Sequence, residues 1–152
     1  MTLTATESTT RRQRDYTEAY ALLALLCDVY PQSFRHEDAP PLPLKLGVHH
    51  EIALALAGAA EPALVALAMR VYCRQWAYLA AMAAPGAMRH TLDGTPLEPV
   101  SEEHRTQAGE RLAAALERYR SRKIERDGQH VKVAAIASAK PKPAQRKLIA
   151  LI

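Results

Sequence analysis

Aromatic side chains are scarce in this sequence, which has one Trp, one Phe and six Tyr among its 152 residues. Its only two cysteines, Cys27 and Cys73, are too few for a disulfide framework and lack the spacing of metal ligands. The longest stretch rich in alanine and leucine, residues 52–69, is interrupted by Glu61-Pro62 and so cannot be a membrane-spanning helix. We therefore expect neither a disulfide-rich secreted fold nor a membrane protein, and we predict a cytoplasmic location.

Apolar residues are abundant by contrast and make up 49% of the chain. That fraction is typical of a folded domain, and the length allows one domain with a real core. Alanine is frequent whereas aromatic residues are few, a mixture that favours packed helices over sheets. We predict a compact, mainly α-helical domain.

The charges are unevenly distributed along the chain. Residues 1–117 hold ten basic and fourteen acidic side chains, a formal charge of −4. Residues 118–152 hold ten basic side chains against only Glu125 and Asp127, a formal charge of +8. A basic block at one end indicates a polyanionic partner, with nucleic acid and an anionic membrane surface as the two candidates, although a solubilising tail has the same composition.

The pattern along the chain predicts three regions: a flexible arm over residues 1–13, a domain over residues 14–124, and a mobile basic tail over residues 125–152. In the first helix Tyr16, Tyr20, Leu23 and Cys27 are predicted to lie on one apolar stripe, which Leu22, Leu25 and Leu26 broaden. Ser101 is the predicted N-cap of the last helix, which we expect to end near Arg122. The predicted helices cover about residues 15–29, 49–59, 62–82 and 102–122.

Asp93-Gly94 lies between two short extended runs, one from Met88 to Leu92 and the other from Thr95 to Leu97. An Asp-Gly pair in this setting is a strong signal for a two-residue hairpin turn, since both residues tolerate positive φ. We therefore predict one small β-hairpin in an otherwise helical domain. Turn chemistry also explains Asp93 without a catalytic role.

The predicted helix from Pro62 to Met82 carries the most information about function. Ala66, Arg70, Arg74 and Tyr78 follow one another at a spacing of four and so form a line along one face. Two guanidinium groups followed by an aromatic ring can hold phosphates and stack a base. We predict that Trp76 instead belongs to the core.

Several motifs of the central segment occur in the order of a known family. They are Pro43-Leu44-Lys45-Leu46-Gly47-Val48, Arg70-x-Tyr72-x3-Trp76-x-Tyr78-Leu79, Pro85-Gly86-Ala87-x-Arg89 and Leu92-Asp93-Gly94. Together with Tyr30-Pro31-Gln32-Ser33-Phe34 upstream, they make the segment from about 15 to 123 resemble the ProQ/FinO family of bacterial RNA chaperones. The resemblance implies a helical domain with one small β-hairpin.

The resemblance also implies a function in post-transcriptional regulation. Members of the family bind structured RNA, typically a stem-loop with a single-stranded 3′ tail, as found in small RNAs and at mRNA 3′ ends. The resemblance assigns RNA-binding positions to Lys45, Arg70, Tyr78 and Arg89. To these we add Arg74, from the line on the helix, and Gly47, whose neighbouring amides precede a helix start. No cofactor and no metal are expected, and we predict a monomer.

The chain departs from the family pattern at a few positions. Ala66 stands where relatives usually carry arginine, whereas Arg74 is an arginine that they typically lack. Thr91 replaces an aspartate of the hairpin, and one residue is inserted between Tyr78 and Pro85. We expect these differences to change RNA affinity and choice, with Arg74 partly replacing the missing charge at Ala66.

Other functional classes find less support in the sequence. His49-His50-Glu51 lacks a third and fourth ligand for a metal, and adjacent histidines are expected on different helix faces. Without a glycine-rich phosphate loop or a nucleophile beside a base, we do not expect an enzyme. A helical protein–protein adaptor and a DNA-binding regulator remain as alternatives.

Overall fold

A computed structural model describes residues 5–35 and 39–138. The chain forms five helices and two strands in these ranges, and it divides into two compact units, one ending at Ala113 and the other beginning at Ala114. The predicted fold class, mainly helical with one small hairpin, is confirmed. The elements are α1 (Ala5–Val29), α2 (Val48–Ala55), α3 (Pro62–Cys73), α4 (Trp76–Ala83), β1 (Met88–His90), β2 (Pro96–Pro99) and α5 (Glu102–Ser138).

The hydrophobic core of the first unit is formed largely where α1 packs against α3. From α1 it takes Ala19, Leu22, Leu23 and Leu26, and from α3 it takes Val65, Ala68, Met69 and Tyr72. Both sets have the spacing of three and four residues that places side chains on one helical face. The leucines Leu22, Leu23 and Leu26 of the predicted stripe are thus confirmed as core residues, whereas Tyr16 and Tyr20 lie outside the core and are exposed.

The predicted single helix over residues 62–82 is interrupted, so that α3 ends at Cys73 and α4 begins at Trp76. At the break, Gln75 has an extended backbone with φ −64° and ψ 141°. Tyr72 and Tyr78, on either side of it, are both buried, and their ring centroids lie 5.2 Å apart. In a continuous helix they would differ by about 9 Å in height and about 120° in direction. The interruption therefore lets both rings enter one core.

The predicted β-hairpin is present, with β1 antiparallel to β2. Its loop contains three residues rather than two, since the amide of Thr91 donates to the carbonyl of Thr95 at 3.0 Å. The amide of Gly94 donates to the carbonyl of Thr91, also at 3.0 Å, and only Gly94 has a positive φ, of 84°. This arrangement is a type I turn followed by a glycine bulge. The Asp-Gly pair thus predicted the position of the hairpin correctly. The predicted two-residue turn is wrong, because the loop has three residues.

Thr91, one of the departures from the family pattern, forms a hydrogen bond within this loop. The hydroxyl groups of Thr91 and Thr95 both donate to the carboxylate of Asp93. These bonds favour the ionised carboxylate and hold the pKa of Asp93 below its ordinary value. Asp93 therefore has a structural function in the loop, as its turn chemistry predicted.

The hairpin loop is attached to the segment that follows α1. The hydroxyl of the fully buried Ser33 lies 2.8 Å from the carbonyl oxygens of both Thr91 and Leu92. A Cβ atom on Gly94 would lie 2.9 Å from the Cβ of Gln32. At this position the fold needs glycine for both its positive φ and the close approach of Gln32.

We expect Gly94→Ala to lower the free energy of unfolding by about 1–3 kcal/mol, measured by urea denaturation. Gly86→Ala is the matched control, because Gly86 also has a positive φ, of 71°, with nothing within 4 Å of the added Cβ. Gly86→Ala introduces backbone strain without a steric clash, so Gly94→Ala should lower the free energy of unfolding more. Equal losses would show that Gln32 moves aside without cost.

The helices extend beyond the predicted domain boundaries. Because α1 begins at Ala5, the described part of the predicted flexible arm is helical, and α5 continues to Ser138 instead of ending near Arg122. A single Gly128 costs a helix only about 1 kcal/mol, whereas the flanking alanines and charged residues favour one. The predicted end of the last helix near Arg122 is thus wrong, whereas the domain boundaries and the mobility of the tail stay predictions. The rest of the tail, with its apolar end Leu148–Ile152, lies outside the described residues.

The start of α5 follows the prediction. The backbone amide of His104 donates to the Ser101 hydroxyl at 3.3 Å, and Glu102 and Glu103 occupy the first turn. Ser101 thus caps the helix, and the acidic side chains complement its dipole. Across residues 5–35 and 39–138, no helix has both the length and the apolar character needed to cross a membrane.

Candidate nucleic-acid interface

An open pocket of about 340 Å³ lies where the middle of α1 meets the end of α3 and the start of α4. We refer to it as the arginine–aromatic pocket. Its floor is apolar, and its rim combines two basic side chains, three aromatic rings and one amide. The lining residues are Tyr16, Tyr20, Leu67, Arg70, Val71, Arg74, Gln75 and Trp76.

Arg70 and Arg74 supply the positive charge of this pocket. Arg70 lies in the last turn of α3 and Arg74 is the residue directly after the helix, so the two side chains are one turn apart. Both are exposed, and neither guanidinium pairs with a carboxylate in the part of the chain that the structure describes. Two adjacent guanidinium groups without an internal counter-charge form a natural binding site for phosphate.

The aromatic side chains of the pocket were not predicted as site residues. Tyr16 is 39% exposed, Tyr20 58% and Trp76 43%. The prediction of Trp76 as a core residue is therefore wrong, and the apolar stripe of α1 does not place Tyr16 and Tyr20 in the core. The spacing of Tyr16 and Tyr20, one helical turn apart, was visible in the sequence, but that spacing is equally typical of a core stripe.

The position of Trp76 follows from the break between α3 and α4. As the first residue of α4, Trp76 lies on the pocket side, while Tyr78, two residues later, lies in the core. No Pro or Gly occurs near the break, so the sequence carries no local signal for it. Helical periodicity therefore could not predict that Trp76 is exposed and Tyr78 is buried.

A second depression next to the pocket differs from it in charge. It is lined by Arg11, Asp15, Glu61, Ala63, Leu64 and Leu67. The carboxylates of Asp15 and Glu61 would repel a polyanion there, since like charges at short range are unfavourable. Even with Arg11 on the same depression, its side chains carry a formal −1, whereas Arg70 and Arg74 give the arginine–aromatic pocket a formal +2.

Tyr78 was predicted to extend the exposed line of Arg70 and Arg74, but it is only 5% exposed. Its hydroxyl oxygen accepts a hydrogen bond of 3.0 Å from the backbone amide of Leu44. Burial raises the pKa of Tyr78 well above its ordinary value. Tyr78 thus anchors the segment before α2, and its ring is not exposed for a base to stack on in this structure. A direct contact of Tyr78 with RNA stays a prediction.

Arg89 was predicted to grip the RNA backbone, but it is also only 5% exposed. Its Nη1 donates to the carbonyl oxygen of Leu44 at 2.8 Å, and its Nη2 lies 3.2 Å from Nδ1 of His104. Arg89 and Tyr78 therefore satisfy the carbonyl and the amide of the same residue, Leu44. Arg89 thus positions the segment before α2 from a buried site. A contact of Arg89 with RNA stays a prediction.

The segment that Tyr78 and Arg89 hold at Leu44 continues to Lys45 and Gly47. The Lys45 ammonium forms an ion pair with Glu51 in the first turn of α2, so it already has a counter-charge. Gly47 is the N-cap of α2, with φ 75° and no side-chain cap. The structure groups Lys45 and Gly47 with Tyr78 and Arg89 around Leu44, and none of these four lines the arginine–aromatic pocket. A direct contact of Lys45 or Gly47 with RNA stays a prediction.

The histidine pair lies in the first turn of α2. The rings of His49 and His50 lie 4.0 Å apart, so the expectation that they point to different faces is wrong. Within the described ranges, no group of three or more His, Cys, Asp or Glu side chains is placed to hold a metal ion.

The sequence is similar to known proteins over most of its length. The family model described as "ProQ/FINO family" matches residues 16–125. The RNA chaperone ProQ of Shewanella amazonensis is 32% identical over 128 residues, which cover 83% of this chain and 58% of that protein. The RNA chaperone ProQ of Aeromonas salmonicida is 32% identical over 142 residues, covering 85% of this chain and 67% of the relative. The chain thus spans little more than half the length of the first of these relatives.

Solved structures resemble the fold as well. A ProQ homolog from Legionella pneumophila, solved by NMR, superposes with a TM-score of 0.52. The aligned part covers 64% of this chain and 80% of that protein at 22% sequence identity. This similarity concerns the fold alone.

Proposed function

Because the chain belongs to the ProQ/FinO family, we propose that this protein is an RNA chaperone that binds structured RNA. The observation that carries the proposal is the arginine–aromatic pocket, where two guanidinium groups, neither paired with a carboxylate among residues 5–35 and 39–138, stand beside three exposed rings. Phosphates bind guanidinium groups, and unpaired bases stack on aromatic side chains. Both relatives compared above are named RNA chaperones, which supports the same function here.

More specifically, we propose that the protein binds a stem-loop RNA with a single-stranded 3′ tail, as found in small RNAs and at mRNA 3′ ends. An unpaired tail offers exposed base faces to the pocket, whereas a paired stem offers only phosphates and sugars. We further propose that the protein works as a cytoplasmic monomer in post-transcriptional regulation and is not an enzyme.

The charge distribution supports different contributions of residues 1–117 and 118–152 to RNA binding. Residues 1–117 carry a formal −4, so attraction to RNA there depends on the local pair Arg70 and Arg74. Residues 118–152 carry a formal +8, and between 118 and 130 every side chain of α5 is exposed. We propose that this basic segment adds affinity through phosphates without distinguishing RNAs.

The proposal is tested by binding to three ligands: a hairpin RNA with a 3′ tail, the same hairpin without its tail, and a DNA duplex. We expect the tailed hairpin to bind most tightly and the DNA duplex least, with affinities that fall as salt rises. Equal affinity for DNA and RNA would favour the DNA-binding alternative. Absence of binding to all three would favour a protein–protein adaptor.

A further inference from the structure

We propose that the arginine–aromatic pocket binds a single unpaired nucleotide, with its base against the rings and its phosphate on Arg70 and Arg74. This inference rests on the proposed function and deepens it, because it names the part of the RNA that the pocket takes. It also assigns a binding function to Tyr16, Tyr20 and Trp76, three residues that the sequence motifs did not mark.

The first support is the concentration of exposed aromatic side chains. Among the described residues, four aromatic side chains are strongly exposed: Tyr16, Tyr20, Trp76 and Tyr119. Three of these four line the same pocket, in a chain with only eight aromatic residues. Rings with this exposure leave apolar area in water, and a planar ligand stacked on them would remove it.

The second support is the combination of chemistries. Leu67 and Val71 form an apolar floor that a base edge can contact, and the amide of Gln75 on the rim can both donate and accept hydrogen bonds. Arg70 and Arg74 lie on the same rim and supply charge for the phosphate. A nucleotide has these two parts, a flat ring and an adjacent anion, in one molecule.

The third support is size. A volume of about 340 Å³ lies at the lower end of the range of small-ligand pockets, which is roughly 300–1,000 Å³. The pocket can therefore take one nucleotide and cannot enclose a folded RNA element. In a duplex the faces of each base are covered by its neighbours, so only an unpaired base can stack here.

Trp76 provides a direct reporter, because it is the only tryptophan of the chain. We expect a short single-stranded RNA, such as a tetranucleotide, to quench the tryptophan fluorescence of the full-length protein saturably. A blunt RNA duplex long enough to stay paired under the same conditions should produce no saturable quenching. Equal quenching by both would overturn the proposal, since charge alone would then bring RNA near Trp76.

Substitutions test the rings individually. Tyr20→Ala and Trp76→Ala should each weaken binding of a 3′-tailed hairpin by about five- to 150-fold, the effect of losing one base–aromatic stack. Trp76→Phe should restore most of the affinity, because phenylalanine retains a stacking face. Leu54→Ala is the control, since Leu54 is an exposed apolar side chain on α2 outside the pocket. Circular dichroism melts of each variant would show whether it is folded.

Failure of this inference can be told apart from failure of the proposed function. If the tailed hairpin binds, without quenching and with full affinity for the Tyr20 and Trp76 variants, the nucleotide pocket is wrong while RNA binding stands. If no RNA binds, both are wrong. If an acidic peptide quenches Trp76 and single-stranded RNA does not, the pocket is a peptide site and the inference is overturned.

Discussion

Replacing Arg70 and Arg74 together by glutamine is expected to weaken binding of a 3′-tailed RNA hairpin by about a hundredfold or more. Each charged hydrogen bond to a phosphate contributes about 1.5–3 kcal/mol, and every 1.4 kcal/mol is roughly tenfold in affinity. The melting temperature should hardly change, because both side chains are exposed and have no carboxylate partner among the described residues. Filter binding at constant salt and a thermal melt would measure the two effects.

The matched control is Arg105→Gln with Arg111→Gln, which removes the same charge from α5. Arg105 is paired with Glu102 and neither residue lines the pocket, so this variant should bind RNA nearly as wild type does. The slope of log affinity against log salt should flatten by about 1.4 for the pocket variant, if two single-strand phosphate contacts are lost. Equal weakening by both pairs would mean that net charge, and not the pocket, determines affinity.

The departure at Ala66 can be examined in the same assay. Ala66 lies one helical turn before Arg70, and we predict that Arg74 partly replaces the arginine that relatives carry there. Ala66→Arg should then tighten binding, and more so in an Arg74→Ala background. Equal tightening in both backgrounds, with no loss from Arg74→Ala itself, would show that the two positions do not serve overlapping phosphates.

Arg89→Met is expected to lower the free energy of unfolding by about 1.5–3 kcal/mol, because the buried Leu44 carbonyl loses a charged hydrogen bond. Urea denaturation would measure the loss. Arg105→Met is the control on the surface, where loss of the pair with Glu102 should cost less than about 1 kcal/mol. A stability equal to wild type would show that the Leu44 carbonyl finds another partner.

Tyr78→Phe tests the second anchor of the same segment, since it removes only the hydroxyl that accepts from the Leu44 amide. It should cost about 1–3 kcal/mol, the penalty for leaving one buried polar group without a partner. Both anchors act on Leu44, so we expect their effects on stability to be coupled. If either variant instead lost RNA affinity at unchanged stability, that side chain would contact RNA directly.

The sequence by itself determined the features that depend on local chemistry. The Asp-Gly pair located the hairpin, Ser101 and the two glutamates after it located the start of α5, and the prolines after α1 excluded a helix there. The same holds for the position of Arg70 and Arg74 one turn apart, since helical spacing alone sets it. The ordered motifs added the family, to which the matched residues 16–125 belong.

Only the tertiary structure decided which aromatic side chains face the solvent. Periodicity assigned Trp76 to the core and Tyr78 to the surface, yet the structure has them the other way round. The reason is that the rings of Phe34, Tyr72 and Tyr78 pack together, at 4.9 Å and 5.2 Å, which a continuous helix does not permit. The helix breaks between Cys73 and Trp76 without a proline or glycine, because burying Tyr78 beside Tyr72 outweighs the helical hydrogen bonds lost at the break. That rotation brings Trp76 to the pocket beside Arg70 and Arg74, and no local pattern could have placed it there.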